Sequence, residues 1–100
     1  MSLTSQVSAG VVTIMVEGNF DIGCYDAFNK TLNDNLNSAS KFVIDLSKAS
    51  YMDSSALGML LLLREKLGGQ SSKIEFVNVN EEVMKILKVA KFDQLFTISS

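Results

Sequence analysis

The stretch Lys41-Phe42-Val43-Ile44-Asp45-Leu46-Ser47, with Tyr51-Met52-Asp53-Ser54-Ser55-Ala56-Leu57-Gly58 close behind it, decides the fold. Phe42, Ile44 and Leu46 fall on one side of an extended chain, so the first part reads as a buried strand. In the second part Asp53-Ser54-Ser55 runs into a block of Leu and Met that lacks β-branched residues. Asp and Ser start helices well because their side-chain oxygens accept from the first free backbone N–H groups. Arg64-Glu65-Lys66 and Gly68-Gly69 close the block, with cations in the last turn and glycine beyond it, as at a helix C-terminus. Two serine hydroxyls therefore stand at the start of a buried helix. Unpaired N–H groups and the helix dipole favour a negative group there. Either Ser54 caps the helix and Ser55 points outward, or the roles are exchanged.

Working outward, Leu3 to Val7 reads as a strand and Ser8-Ala9-Gly10 as a turn. Val11 to Glu17 is a second strand, apolar on both alternating sets, so both of its faces are expected to be covered. Gly18-Asn19-Phe20-Asp21 is expected to break that strand and lead into a helix capped by Asp21. Its apolar stripe is Tyr25, Phe28, Leu32 and Leu36, with Lys30, Asn33 and Asp34 solvated. Asn37 to Ser40 is a loop, and Lys48-Ala49-Ser50-Tyr51 a plain connector to the serine helix. In that helix Leu57, Leu60, Leu61 and Leu63 read as core. Met59 and Leu62 lie on the complementary arc, which is expected to be covered by the sheet or a neighbouring helix, with a partner groove as the alternative for Met59. Ser71 and Ser72 precede a strand from Lys73 to Val79. Asn80 then caps a helix with Glu81 and Glu82 in its first turn and Val83, Ile86, Leu87 and Ala90 as its stripe. The tail packs Phe92, Leu95 and Phe96 and ends in a short strand around Thr97 and Ile98.

Alternation of strand and helix after the hairpin implies right-handed crossovers and mostly parallel neighbours. The expectation is one α/β domain over residues 1–100, a four- to five-stranded mixed sheet packed with three or more helices. Ligand sites in such sheets form outside the carboxyl ends of strands, which is where the serine turn falls.

Composition narrows the chemistry. The chain has 100 residues, 47% of them hydrophobic and 20% charged, with a formal charge of -2. Its nine Lys and Arg residues form no dense patch, which argues against nucleic acid as a partner. The longest apolar run falls far short of the ~20 residues that span a bilayer, and no export signal opens the chain. A single Cys24 excludes an internal disulfide and suits a reducing cytosol. It reads as a small, half-buried hydrophobe. With no His, the chain can build neither a Ser-His-Asp nor a Cys-His catalytic unit, and zinc has no ligand set. No phosphate-binding glycine loop occurs. Mg²⁺ on Asp21, Asp45 or Asp53 is conceivable, but Asp at helix starts and strand ends serves mainly in caps, and Asp45 is expected to be paired at the sheet end. The chain reads as a binding module, not an enzyme.

Ile44-Asp45-Leu46-Ser47 followed by Met52-Asp53-Ser54-Ser55-Ala56-Leu57-Gly58 resembles the STAS domain of bacterial anti-sigma factor antagonists. The likeness takes in the opening hairpin, the turn Glu17-Gly18-Asn19-Phe20-Asp21, and a last helix preceded by Val79-Asn80. It departs from the family pattern at Ala56, where many members carry Gly. The resemblance implies a cytoplasmic anti-anti-sigma protein with Ser55 as its phosphorylation site. Asp21, Asp53, Ser54, Ala56 and Met59 would line the partner contact around it. The implied partners are an anti-sigma factor with serine kinase activity, or a similar switch protein, and a serine phosphatase, with no oligomeric state implied. ATP and Mg²⁺ would belong to the kinase, so this chain needs no cofactor. The alternative is an unmodified STAS subunit of a membrane lipid-transport complex. A small phosphate- or nucleotide-handling enzyme is a third reading, disfavoured by the missing His and glycine loop.

Overall fold

The computed structural model describes residues 2–69 and 73–100; Ser71 and Ser72, expected to lead into a strand, lie outside them. Strands β1 (Ser2–Ser8) and β2 (Val11–Phe20) make the antiparallel hairpin, with Ser8 opposite Val11. Ala9 and Gly10 between them have φ of 51° and 81°, the left-handed pair that a two-residue turn of the I′ kind requires.

The predicted break at Gly18 is a bend instead. β2 runs on to Phe20, with a shift of register between Gly18 and Asn19. Gly18 takes φ 79°, a conformation glycine reaches without a Cβ penalty, so the strand turns without ending. Beyond the bend β2 takes a new partner. Residues Val11 to Met15 pair in parallel with β3 (Lys41–Asp45), and Gly18 to Phe20 pair in parallel with β4 (Ala49–Met52). The segment expected as a connector is thus a strand, tied in by the Gly18 N–H donating to Lys48 O at 2.9 Å. β5 (Ile74–Val77) pairs with β3, and β6 (Thr97–Ile98) with β5, both in parallel. The sheet has six strands in the order β1-β2-β3-β5-β6, with β4 attached to β2. The strand beyond the expected set is β4; the short β6 falls at Thr97 and Ile98 as expected.

Three helices join them: α1 (Tyr25–Asn35), α2 (Ser54–Lys66) and α3 (Glu81–Val89). Phe28 and Leu32 of α1, Leu60 and Leu63 of α2, and Val83 and Leu87 of α3 share one buried cluster with Val12, Ile14, Val16, Phe42, Ile44, Leu46 and Phe76. Only one face of β2 is buried: Val11, Thr13 and Met15 alternate with the core residues and stay half-exposed, so the expected double cover is absent. Tyr25, predicted for the stripe of α1, is exposed, and Leu36 is half-buried. Lys30 and Asp34 form an exposed i,i+4 ion pair at 3.0 Å. Phe92 and Phe96 pack with Phe76 under the tail, whereas Leu95 stays on the surface.

Asn80 locks α3 to the strand layer. Its Oδ1 accepts from the Val83 N–H at 2.9 Å, and its Nδ2 donates to Ala49 O at 2.7 Å and Leu46 O at 3.4 Å. One side chain therefore caps a helix and satisfies the corner between β3 and β4. Asn80→Ala should destabilise the fold by about 2 kcal/mol, through a lost cap and unpaired carbonyls. Asn80→Ser, which retains a capping oxygen but cannot span to the corner, should recover roughly half of that in urea denaturation.

Candidate functional site

The site grows from the end of β4. Asp53 is still extended, at φ -106° and ψ -174°, and its N–H donates to Phe20 O at 3.3 Å. Its Oδ1 accepts from the Ala56 N–H at 3.0 Å, and its carbonyl accepts from the Leu57 N–H at 3.2 Å. Asp53 is therefore the cap of α2, and neither arrangement expected for the serines holds. A carboxylate is a strong acceptor for N-terminal amides and also complements the positive helix end. Ser54 and Ser55 occupy the first two helical positions, Ser54 exposed and Ser55 half-buried. Among the described residues neither hydroxyl makes a hydrogen bond, and the N–H groups of both residues are likewise uncommitted.

Asp21 sits next door. The Phe20–Asp53 hydrogen bond joins the ends of β2 and β4, so Asp21 and the serine turn emerge at the same edge of the sheet. Asp21 Oδ1 accepts from the Gly23 N–H at 2.9 Å and caps the 3-10 turn Ile22–Cys24 that leads into α1. Ile22 in that turn is 66% exposed, an apolar side chain the sequence did not single out. Cys24 is fully buried, not half-buried.

Two expected contact residues point inward. Ala56 is 0% exposed and Met59 4%, both in the core, so their side chains offer no surface to a partner. The reason lies in the composition of α2. Its helical face is apolar nearly all round, so the sequence alone could not fix its rotation. Packing against the sheet puts Ala56, Met59, Leu60 and Leu63 inside. Leu57 is half-buried, and Leu61 and Leu62 remain 39% and 37% exposed. The outer face of α2 therefore reads Ser54, Ser55, Gly58, Leu61, Leu62.

Asp45, at the end of β3, is paired as expected. Its carboxylate accepts from the Ser47 N–H at 2.9 Å and from Asn78 Nδ2 at 3.2 Å. Partial burial pushes its pKa up, but the Ser47 and Asn78 hydrogen bonds and the charge of Lys48 outweigh this and hold it below the ordinary carboxylate value. Among the described residues no three Cys, Asp or Glu side chains gather to hold a metal ion. No helix among them is long and apolar enough to cross a membrane.

A six-stranded sheet with one helical face and a capped Asp-Ser-Ser turn at its carboxyl edge defines the class, and comparison with known proteins agrees. The STAS domain profile matches residues 2–100, and the chain belongs to that family. A STAS-domain containing protein of Pseudomonas aeruginosa is 43% identical over 101 residues, covering 99% of this chain and all of that protein. Among solved structures, a putative anti-sigma factor antagonist from Thermotoga maritima superposes with a TM-score of 0.84 at 23% identity, over 98% of this chain and 86% of its own. The unphosphorylated anti-sigma factor antagonist SpoIIAA matches with a TM-score of 0.79 at 16% identity, over 99% and 88%. A sulfate transporter family protein from Wolinella succinogenes shares the fold too, with a TM-score of 0.75 at 17% identity over 89% and 73%. At these identities the structural likeness is one of fold.

The cap assignment separates the three polar residues in a denaturation experiment. Asp53→Ala should cost about 1 kcal/mol, whereas Ser54→Ala and Ser55→Ala should each stay within about 0.5 kcal/mol of wild type. Asp45 predicts a pH effect. Its folded pKa lies below its unfolded one, so its contribution is present above the unfolded value and is lost as pH falls through the folded one. The Tm difference between wild type and Asp45→Asn should therefore shrink as pH drops from about 5 to about 2.

Proposed function

We propose that this STAS domain is a partner-switching regulator, an anti-sigma factor antagonist or close analogue, controlled by reversible phosphorylation of Ser55. The observation that carries the reading is the cap: because Asp53 holds the helix, both serine hydroxyls are without structural duty at the carboxyl edge of the sheet, and the family motif picks out the half-buried Ser55 of the two. Further support comes from SpoIIAA, which has been solved in both an unphosphorylated and a phosphorylated form, each with this fold.

The switch is electrostatic. Unmodified Ser55 presents a small neutral hydroxyl beside exposed apolar side chains that a partner covers. Phosphorylation adds a charge of about −1.5 to −2. The free N–H groups at the start of α2 accommodate that charge, so the domain stays folded. A docked surface does not: the dianion stands near Asp53 and Asp21, and burying it unpaired costs on the order of several kcal/mol. Release of the partner then needs no change of shape. The phosphoryl donor ATP and its Mg²⁺ are held by the partner, an anti-sigma factor with serine kinase activity or a similar switch protein in the cytoplasm. A separate serine phosphatase resets the site.

Incubated with ATP and a lysate of its own cell, the protein should gain one phosphoryl group on the peptide spanning Met52 to Arg64. With ATP alone, or as Ser55→Ala, it should gain none. Modification of Ser54 instead, or none in the lysate, would overturn the assignment. A constitutive subunit of a membrane transport complex would give that last result.

A further inference from the structure

The outer strands of the sheet are handled differently. β6 at one end is only two residues long, and so short an edge offers little to pair with. β4, off the main path, is packed against α3. β1 at the other end is seven residues long, with no charge or proline from Ser2 to Ser8 and no break in its register. Charge, proline and bulges are the devices that ordinarily keep an exposed edge from pairing, and β1 has none of them. No strand among the described residues pairs with its outer side.

The turn shows which backbone groups β1 leaves free. Because Ala9-Gly10 is a two-residue turn, the flanking Ser8 and Val11 exchange hydrogen bonds, and bonding then alternates along the ladder. Ser2, Thr4, Gln6 and Ser8 are thus committed to β2, whereas Leu3, Ser5 and Val7 direct their N–H and C=O groups off the edge. The side chains of these three share a face with Val16, Ile14 and Val12, their buried partners on β2. Leu3 packs against the core, but Val7 is 57% exposed on that same face.

The strand also has the same character in both directions. Ser2-Leu3-Thr4-Ser5-Gln6-Val7-Ser8 carries serine at each end, then an apolar residue, then a polar one, with Ser5 at the centre. An antiparallel copy centred on Ser5 sets Leu3 opposite Val7 of the second copy, Ser5 opposite Ser5, and Val7 opposite Leu3. These are the three residues whose backbone groups are free. Each pair exchanges two hydrogen bonds, about six in all. A slip of two residues would set Ser5 against Leu3 or Val7, and a slip of one would bring committed backbone groups to the junction. No charge on the strand repels its copy, and the formal charge of the whole chain is only -2.

We propose that β1 is a self-association edge, at which two copies of this chain pair antiparallel about a twofold axis at Ser5 and join their six-stranded sheets into one. The contact is isologous and closed, so it stops at two copies. Leu3 of the second copy covers the exposed Val7, a cross-strand pair of the kind that stabilises a sheet. A single strand pair is a small interface, so the dimer exchanges with monomer. None of the β1 residues belongs to the serine turn, and the dimer does not depend on phosphorylation.

Sedimentation equilibrium of the intact protein over about 10 µM to 1 mM should show the average mass rising toward twice that of the chain. Ser5→Lys and Ser5→Glu each place like charges opposite one another at the axis. Each variant alone should keep the monomer mass over that range, with the far-UV spectrum unchanged because Ser5 is exposed. Mixed in equal amounts, the two should regain the rise in mass, since Lys then faces Glu. Wild type that stays monomeric at the top of the range would overturn the proposal. Variants that associate as wild type does would overturn it too, because the contact would then lie elsewhere. A mixture that stays monomeric would show that Ser5 is not on the axis and would refute the pairing.

Discussion

The hydrogen bond from the Ala56 N–H to Asp53 Oδ1, 3.0 Å long, is the contact on which the arrangement at the serine turn depends. With the Asp53 N–H bonded to Phe20 O, it fastens the first turn of α2 to the end of β2. A carboxylate in this place does two jobs: it satisfies an orphan amide and offsets the positive end of the helix. Because it does both, the serines are relieved of either. That division of labour lets one residue hold the structure while its neighbours stay available for chemistry.

The setting of that contact is a consequence of Gly18. Its positive φ bends β2 without ending it, and the bent half recruits β4 as a second parallel partner. β4 in turn delivers Asp53 to the carboxyl edge of the sheet, beside Asp21. Asn80 braces the same corner from the far side, bonding to Leu46 and Ala49 carbonyls while capping α3. Two strand ends, one helix start and one side-chain bracket thus converge within a few residues of Ser55.

Much of this was legible in the residues, and the failures have physical causes. Caps and turns carry local chemistry, so the Ala9-Gly10 turn, the Asn80 cap and the Asp21 cap were read correctly, the last onto a 3-10 turn instead of α1 itself. β4 was missed because Ala49-Ser50-Tyr51-Met52 is short and buries only its two ends; its existence depends on the bend in β2, a non-local cause. Gly18 was read as a breaker for the same reason: glycine permits both an end and a bulge, and only the partner strand decides. The rotation of α2 was illegible because leucine and methionine surround it. Burial of Met59 and exposure of Leu61 and Leu62 follow from which side meets the sheet. The identity of the capping residue needed the structure, because Asp53, Ser54 and Ser55 all carry a side-chain oxygen suited to a cap.

The proposed switch requires a fold that is indifferent to what Ser55 carries. Amide hydrogen exchange on protein bearing phosphoserine at position 55, compared with the unmodified protein, tests this most directly. Protection in α2 and in β2 and β4 should be unchanged, because Asp53 keeps the cap and the helix N-terminus tolerates the added charge. Loss of protection in α2 on phosphorylation would contradict it, since the proposed switch would then have to melt the helix instead of charging an intact surface.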